Sequence, residues 1–159
     1  MIPTPCFTRE RSAMGLHHID HYTIDTADIA ATKAFYCDLL GLRDGERPPL
    51  PFPGVWLYCE NGQPTVHIVE VTPNAARKTA TTGLFNHVSF ACTGAEDIRT
   101  RLERAKIAFN VVVLPGIGNT QFFMKDPNGI SVELNFPATE TRASDIIAMQ
   151  SRGKENYGI

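Results

Sequence analysis

QFFMKDPNGISVELNF, residues 121–136, decides the fold. Two runs of strand-forming residues flank Asp126-Pro127-Asn128-Gly129, and its Asn-Gly pair tolerates the positive φ angles of a tight hairpin. In the second run Val132, Leu134 and Phe136 fall on one face and Glu133 and Asn135 on the other, because successive strand side chains point to opposite sides. The same plan stands earlier in the chain, where VWLYCE and TVHIVEV flank Asn61-Gly62. There His67 holds the place that Glu133 holds 66 residues later. The earlier connection is lengthened by Gln63-Pro64, and Pro64 has no N–H to give to a ladder.

Ahead of each hairpin stands a strand leading into a helix. LHHIDHYTI puts Tyr22 and Ile24 on one face and His21 and Thr23 on the other. NHVSFAC begins the pattern again, with Val88, Phe90 and Cys92 opposed to His87 and Ser89, and His87 lies 66 residues after His21. Asp28 caps a predicted helix with Ala31, Phe35, Leu39 and Leu40 on one side, and Gly41 supplies its stop. EDIRTRLERAKI repeats helical spacing through Ile98, Leu102 and Ala105. RDGERPPLPFPG is too rich in proline and glycine for regular structure and reads as a long surface loop, and residues 74–83 read as a polar linker. FNVVVLPG supplies a further short strand. One residue fits poorly: Glu70 shares the parity of Val66 and Ile68, the face expected to be buried.

Each half thus reads β-α-β-β-β, and such a duplicated unit predicts an α+β fold. Two βαβββ modules, about 15–73 and 84–137, are expected to pair into a curved mixed sheet around a metal-containing cavity. Residues 1–14 lack periodicity and read as an N-terminal arm. Residues 138–159 read as a C-terminal tail with a short helix near 139–151.

A chain of 159 residues makes one domain, or two small halves sharing a core, and buries roughly two-thirds of its unfolded surface. Its net charge of −2 and scattered basic residues argue against nucleic acid, which demands a clustered positive surface. Cysteines at 6, 37, 59 and 92 form no CxxC pair and read as reduced thiols. The first residues, MIPTPCFTRERSAMG, carry prolines and charges where a signal peptide is apolar, and no run reaches about eighteen apolar residues. A cytoplasmic protein with a small-molecule partner and no membrane association is expected.

Folded face to face, the two halves would bring His21, His67, His87 and Glu133 together. Three imidazoles and one carboxylate suit one divalent metal ion, Zn, Ni, Co, Mn or Fe. His18 has the opposite parity to His21 and His17 sits at the strand's beginning, so neither is assigned as a ligand. Trp56 and Phe123 on the hairpin strands, with Ser89 and Asn135 on the ligand faces, are the candidate substrate contacts.

IDHYTI followed by FYCDLLGL, then VHIVEV, NHVSF and finally FFMKDPNGISVELNF resemble the vicinal oxygen chelate superfamily. That superfamily includes glyoxalase I, methylmalonyl-CoA epimerase, fosfomycin-resistance proteins, extradiol dioxygenases and metal-free bleomycin-binding proteins. The resemblance covers about residues 15–137, and DPNG followed by a strand glutamate is its most specific piece. By this resemblance His21 matches the first-strand ligand, His87 its second-half counterpart and Glu133 the last-strand carboxylate. His67 matches a position filled by Glu, Gln or His in members with four protein ligands.

The resemblance implies a metal-dependent isomerase or lyase of the glyoxalase/epimerase type, polarising vicinal oxygens of a small metabolite for proton transfer with Glu133 or His67 as base. The rivals are an Fe(II)-dependent dioxygenase of the extradiol type and a small-molecule binding or resistance protein without turnover. Extradiol relatives carry a tyrosine where Phe123 stands and a histidine shortly upstream, whereas residues 111–121 contain none. Binding members typically lack the metal set. No glutathione-binding residues are identifiable, and fosfomycin enzymes leave the position of His67 unligated. The resemblance also implies a homodimer, and the sequence leaves open whether the ligands come from one chain or two.

Overall fold

The protein is described by a computed structural model covering residues 18–78 and 82–152. The expected N-terminal arm, His17, Cys6, residues 79–81 of the linker and residues 153–159 of the tail lie outside the described residues.

In the first module β1 (Tyr22–Thr26), β2 (Arg43–Gly45), β3 (Gly54–Tyr58) and β4 (Val66–Glu70) form one sheet in the order β1-β4-β3-β2. In the second, β5 (Val88–Ala91), β6 (Phe109–Val113), β7 (Thr120–Lys125) and β8 (Ser131–Phe136) repeat it as β5-β8-β7-β6. Each first strand runs parallel to the last strand of its own module, and the remaining pairs are antiparallel. A parallel pair needs a crossover, which the helix after each first strand begins. The two sheets are separate hydrogen-bonded ladders.

The first helix, α1 (Ile29–Ala34), starts where Asp28 Oδ1 accepts the Ala31 N–H at 2.8 Å, satisfying one of the orphan donors of a helix start. The regular helix expected to reach Leu40 instead widens into a π turn over Phe35–Leu39, with Leu40 N–H donating to the Phe35 carbonyl. The wider turn turns Phe35, Tyr36 and Leu39 inward together. Gly41 follows at φ +87°, the left-handed exit that glycine adopts without strain.

Strand parity decides what is buried. Ile24, Val66, Ile68 and Leu57 from the first sheet join Phe122, Met124, Val132, Leu134 and Phe136 from the second in one apolar cluster with Tyr36 and Leu102. The modules are also pinned by polar contacts. Tyr36 Oη donates to Asp126 Oδ2 at 3.2 Å, and Asn128 Nδ2 donates to Thr32 Oγ1 at 3.1 Å. Asp126, buried in the turn, accepts the Asn128 and Ile130 N–H groups at 2.8 Å each. The Asp-Pro-Asn-Gly turn therefore closes its own hairpin and docks the other module.

Two further segments differ from the sequence reading. β2 forms inside the proline- and glycine-rich segment, with Gly45 opposite Trp56. A helix, α2 (Pro73–Lys78), occupies the start of the expected linker, with Thr72 Oγ1 accepting the Ala75 N–H at 3.4 Å. Glu70 is exposed as the last residue of β4, its N–H donating to the Pro53 carbonyl, so its parity is correct and the strand simply outruns the core. α3 (Ala95–Arg104) covers the second sheet, and Glu140 Oε2 accepts the Ala95 N–H at 2.7 Å. After a 3-10 turn at Ala138–Glu140, α4 (Ala143–Arg152) packs on β6, with Arg99 and Asp145 paired at 2.6 Å.

Candidate functional site

The faces turned away from the core carry the predicted polar residues, two on each module. On the first sheet His67 pairs across the ladder with Thr23 on one side and Trp56 on the other. His21, just ahead of β1, stacks on His67 with ring centroids 3.8 Å apart, and Trp56 stacks on its other side at 4.1 Å. On the second sheet Glu133 pairs with Ser89 and Phe123 in the matching places. His87 Nε2 lies 2.9 Å from Glu133 Oε2, and Phe123 meets His87 edge-on at 5.6 Å. Glu133 is only 4% exposed. Its Oε1 accepts from Ser89 Oγ at 2.8 Å and from Gln121 Nε2 at 2.7 Å. Asn135, farther along β8, accepts from Asn119 Nδ2 at 3.1 Å and does not touch the carboxylate.

Two of the histidines have an oxygen at Nδ1. His21 Nδ1 lies 2.7 Å from Asp20 Oδ2, and His87 Nδ1 lies 2.7 Å from Asn86 Oδ1. Asp20 and Asn86 are themselves 66 residues apart. The Nε2 of His67 is buried with no hydrogen-bond partner. For His21 an oxygen acceptor at Nδ1 favours the proton there and leaves Nε2 its lone pair, the arrangement that metal-binding imidazoles need, whereas His87 meets an oxygen at both nitrogens, Asn86 at Nδ1 and Glu133 at Nε2. Burial, and then the neighbouring His21, hold His67 below the usual imidazole range, which favours the neutral ligand form. The hydrogen bond from His21 holds the Asp20 carboxyl below its ordinary value.

Among the described residues no three metal-ligating side chains gather around one point. The chain brings His21 together with His67, and His87 together with Glu133, and keeps the pairs apart. Four ligands converging inside one chain, one of the two arrangements the sequence left open, is therefore not what this chain forms. Apolar residues of both sheets share one core cluster, while the two polar pairs stay on their own sheets. Sequence reasoning missed Gln121, Asp20 and Asn86. Gln121 has the parity of Phe123 two residues on, and Asp20 and Asn86 obey the 66-residue offset, so the signals were present.

The duplicated fold has counterparts. The chain matches the Glyoxalase/Bleomycin resistance protein/Dioxygenase superfamily over residues 18–134. It belongs to that superfamily. Glyoxylase I 4 of Arabidopsis thaliana is 27% identical over 122 residues, covering 75% of this chain and 70% of the relative. A glyoxylase/bleomycin resistance protein/dioxygenase domain from Frankia superposes with a TM-score of 0.64 at 18% identity, over 77% of this chain and 99% of that one. Lactoylglutathione lyase from Agrobacterium tumefaciens superposes with a TM-score of 0.55 at 20% identity, over 81% of this chain and 100% of that one. At such identities the structural matches speak for the fold, which hosts several chemistries. Among the described residues no helix is long and apolar enough to cross a membrane.

Proposed function

We propose that this protein is a divalent-metal-dependent isomerase or lyase of the glyoxalase/epimerase type, acting on a small metabolite with two neighbouring oxygens. Its site is assembled between two copies of the chain, His21 and His67 of one meeting His87 and Glu133 of the other. The observation that carries this reading is the orphaned buried Nε2 of His67 stacked on His21, together with the oxygen that engages Nδ1 of His21 and of His87. A buried nitrogen with no partner costs about 1–3 kcal/mol, and a ligand removes that cost. Three imidazoles and a carboxylate fit Zn, Ni, Co, Mn or Fe. A divalent ion there supplies Lewis acidity, polarising the substrate's two oxygens.

The side chains divide the remaining work. Ser89 and Gln121 hold Glu133 Oε1, so a proton taken from carbon next to a carbonyl would be received at Oε2, the oxygen facing His87, once the arriving substrate has loosened that oxygen from the ion. His67 lies between two stacked rings, which denies substrate an approach to it and leaves Glu133 as the base. Phe123 and Trp56 flank the two halves and exclude water from the reacting atoms, strengthening the polar interactions within.

The test is the metal content of protein purified without added metal, read with deuterium exchange and turnover of hemithioacetals of 2-oxoaldehydes, and with oxygen uptake on catechols. Nickel, cobalt, manganese or zinc with proton exchange and no oxygen uptake supports the proposal. Iron with oxygen uptake supports the ring-cleaving dioxygenase. Ligand binding with neither metal nor turnover supports a resistance-type binding protein.

A further inference from the structure

The proline-rich loop between β2 and β3 builds a cation beside the first half-site. Arg47 Nη2 donates to the Phe52 carbonyl at 2.9 Å, and its guanidinium lies over the Phe52 ring, 4.9 Å from the centroid. Its Nη2 also lies against Gly54, 3.4 Å from where a Cβ would stand. Half-buried and held on these sides, Arg47 takes part in no ion pair among the described residues. Fixing a long charged side chain costs rotamer entropy, and no carboxylate among the described residues offsets it. The remaining edge of a planar guanidinium matches a carboxylate in two parallel hydrogen bonds.

The surroundings supply the rest of a receptor. An open cavity of about 470 Å³ is lined by Glu46, Arg47, Pro48, Trp56 and Tyr58. Tyr58 Oη donates to the Glu46 carbonyl at 2.7 Å, and its ring lies so close on Gly45 that a Cβ there would stand 2.6 Å from it. Glu46, the one acidic side chain in this lining, is exposed. The shared wall is decisive: Trp56 lines this cavity and also stacks on His67. A molecule seated here therefore lies beside the candidate metal ligands.

We infer that this cavity is the specificity pocket of the proposed site and that it recognises a carboxylate: the substrate is an organic acid whose carboxylate pairs with Arg47 and whose apolar or planar body rests on Trp56 and Tyr58. The inference rests on the function proposed above, for which it names the substrate class. It is tested without metal or turnover, because Trp56 is the chain's single tryptophan and its emission reports the pocket directly.

The probe is phenylacetate, which has a carboxylate and a ring but no vicinal oxygens for a metal. Titrated into the purified protein, with and without chelator, phenylacetate produces a saturable change in Trp56 emission. Phenylacetamide, and phenylacetate on Arg47→Gln, bind about 10- to 100-fold more weakly, and Arg47→Lys falls between. The inference is overturned if phenylacetate does not bind, if Arg47→Gln binds it like the parent, if the amide binds as tightly, or if benzylphosphonate binds more tightly than the carboxylate. His21→Ala protein that loses metal yet keeps the phenylacetate titration separates a failure of this pocket from a failure of the metal site.

Discussion

Replacing Gln121 with leucine keeps the side chain's bulk and removes one of the two hydrogen bonds to Glu133 Oε1, a 2.7 Å contact to a carboxylate that is 4% exposed. A hydrogen bond to a buried charge is worth about 2 kcal/mol. Leucine cannot replace it, and Ser89 already donates to the same oxygen at 2.8 Å, so the vacated lone pair goes unmet. For a chain of this size a loss of that magnitude lowers Tm by about 4–8 °C. Since the same amide orients a candidate ligand, metal affinity falls by about 10- to 100-fold. Thermal melts of chelator-treated protein read the first effect, and metal titration calorimetry reads the second. Ser89→Ala acts in the same direction. Gln121→Glu, which sets a second carboxylate against the first, costs more at neutral pH than leucine does. A Gln121→Leu protein that melts like the parent without metal, and binds metal equally well, refutes the role given to this residue.

Other contacts carry their own expectations. Thr32→Val deletes a fully buried hydroxyl that donates to the Asp28 carbonyl at 2.9 Å and accepts from Asn128; a loss of about 2 kcal/mol in urea unfolding is expected, and a change within about 0.5 kcal/mol contradicts it. Gly54→Ala places a Cβ 2.3 Å from the Ile68 carbonyl oxygen, so β3 must move off β4; destabilisation by about 1–3 kcal/mol or more is expected, and an unchanged melt contradicts it. Burial, and then the neighbouring Cys59, push the Cys92 thiol up to about 11. At pH 8 it is thiolate on the order of 0.1% of the time, so native-state iodoacetamide labelling of Cys92, mapped by mass spectrometry, stays slow and climbs with pH towards 11. Labelling at the rate of free cysteine near pH 7.5 contradicts that.

The periodicity of particular residues made most of the fold legible. Ile24 against Thr23 separates cleanly into a buried and an outward side, and Val132, Leu134 and Phe136 fall on the core face as their alternation requires, although Glu133 opposite them is buried as well. What escaped was local or relational. β2 is three residues long and exists only because β3 offers it an edge, a tertiary effect that composition hides. The start of α2 was signalled by Thr72 before Pro73, a capping residue ahead of a proline in the first helical position, and was masked by the polar run that follows. The π turn at Phe35–Leu39 replaces the regular spacing that Ala31, Phe35 and Leu39 suggest.

The site was legible residue by residue and not as an assembly. Parity places His21 with His67, and His87 with Glu133, on outward faces, yet it cannot say whether two sheets meet through their polar or their apolar sides. The core answers that: Tyr36 reaching Asp126 and Thr32 reaching Asn128 fix the modules through the helix side. Each chain then offers two separate pairs of candidate ligands.

Mixing two disabled variants tests the shared site most directly. His21→Ala and Glu133→Ala protein are each expected to bind metal poorly and to lack turnover. Unfolded together and refolded, they give dimers of which about half are mixed, and each mixed dimer has one intact site of two, so about a quarter of the parent's metal binding and activity returns. If the four residues served within single chains, every site would carry a lesion. No recovery on mixing, with dimers formed, would contradict the account.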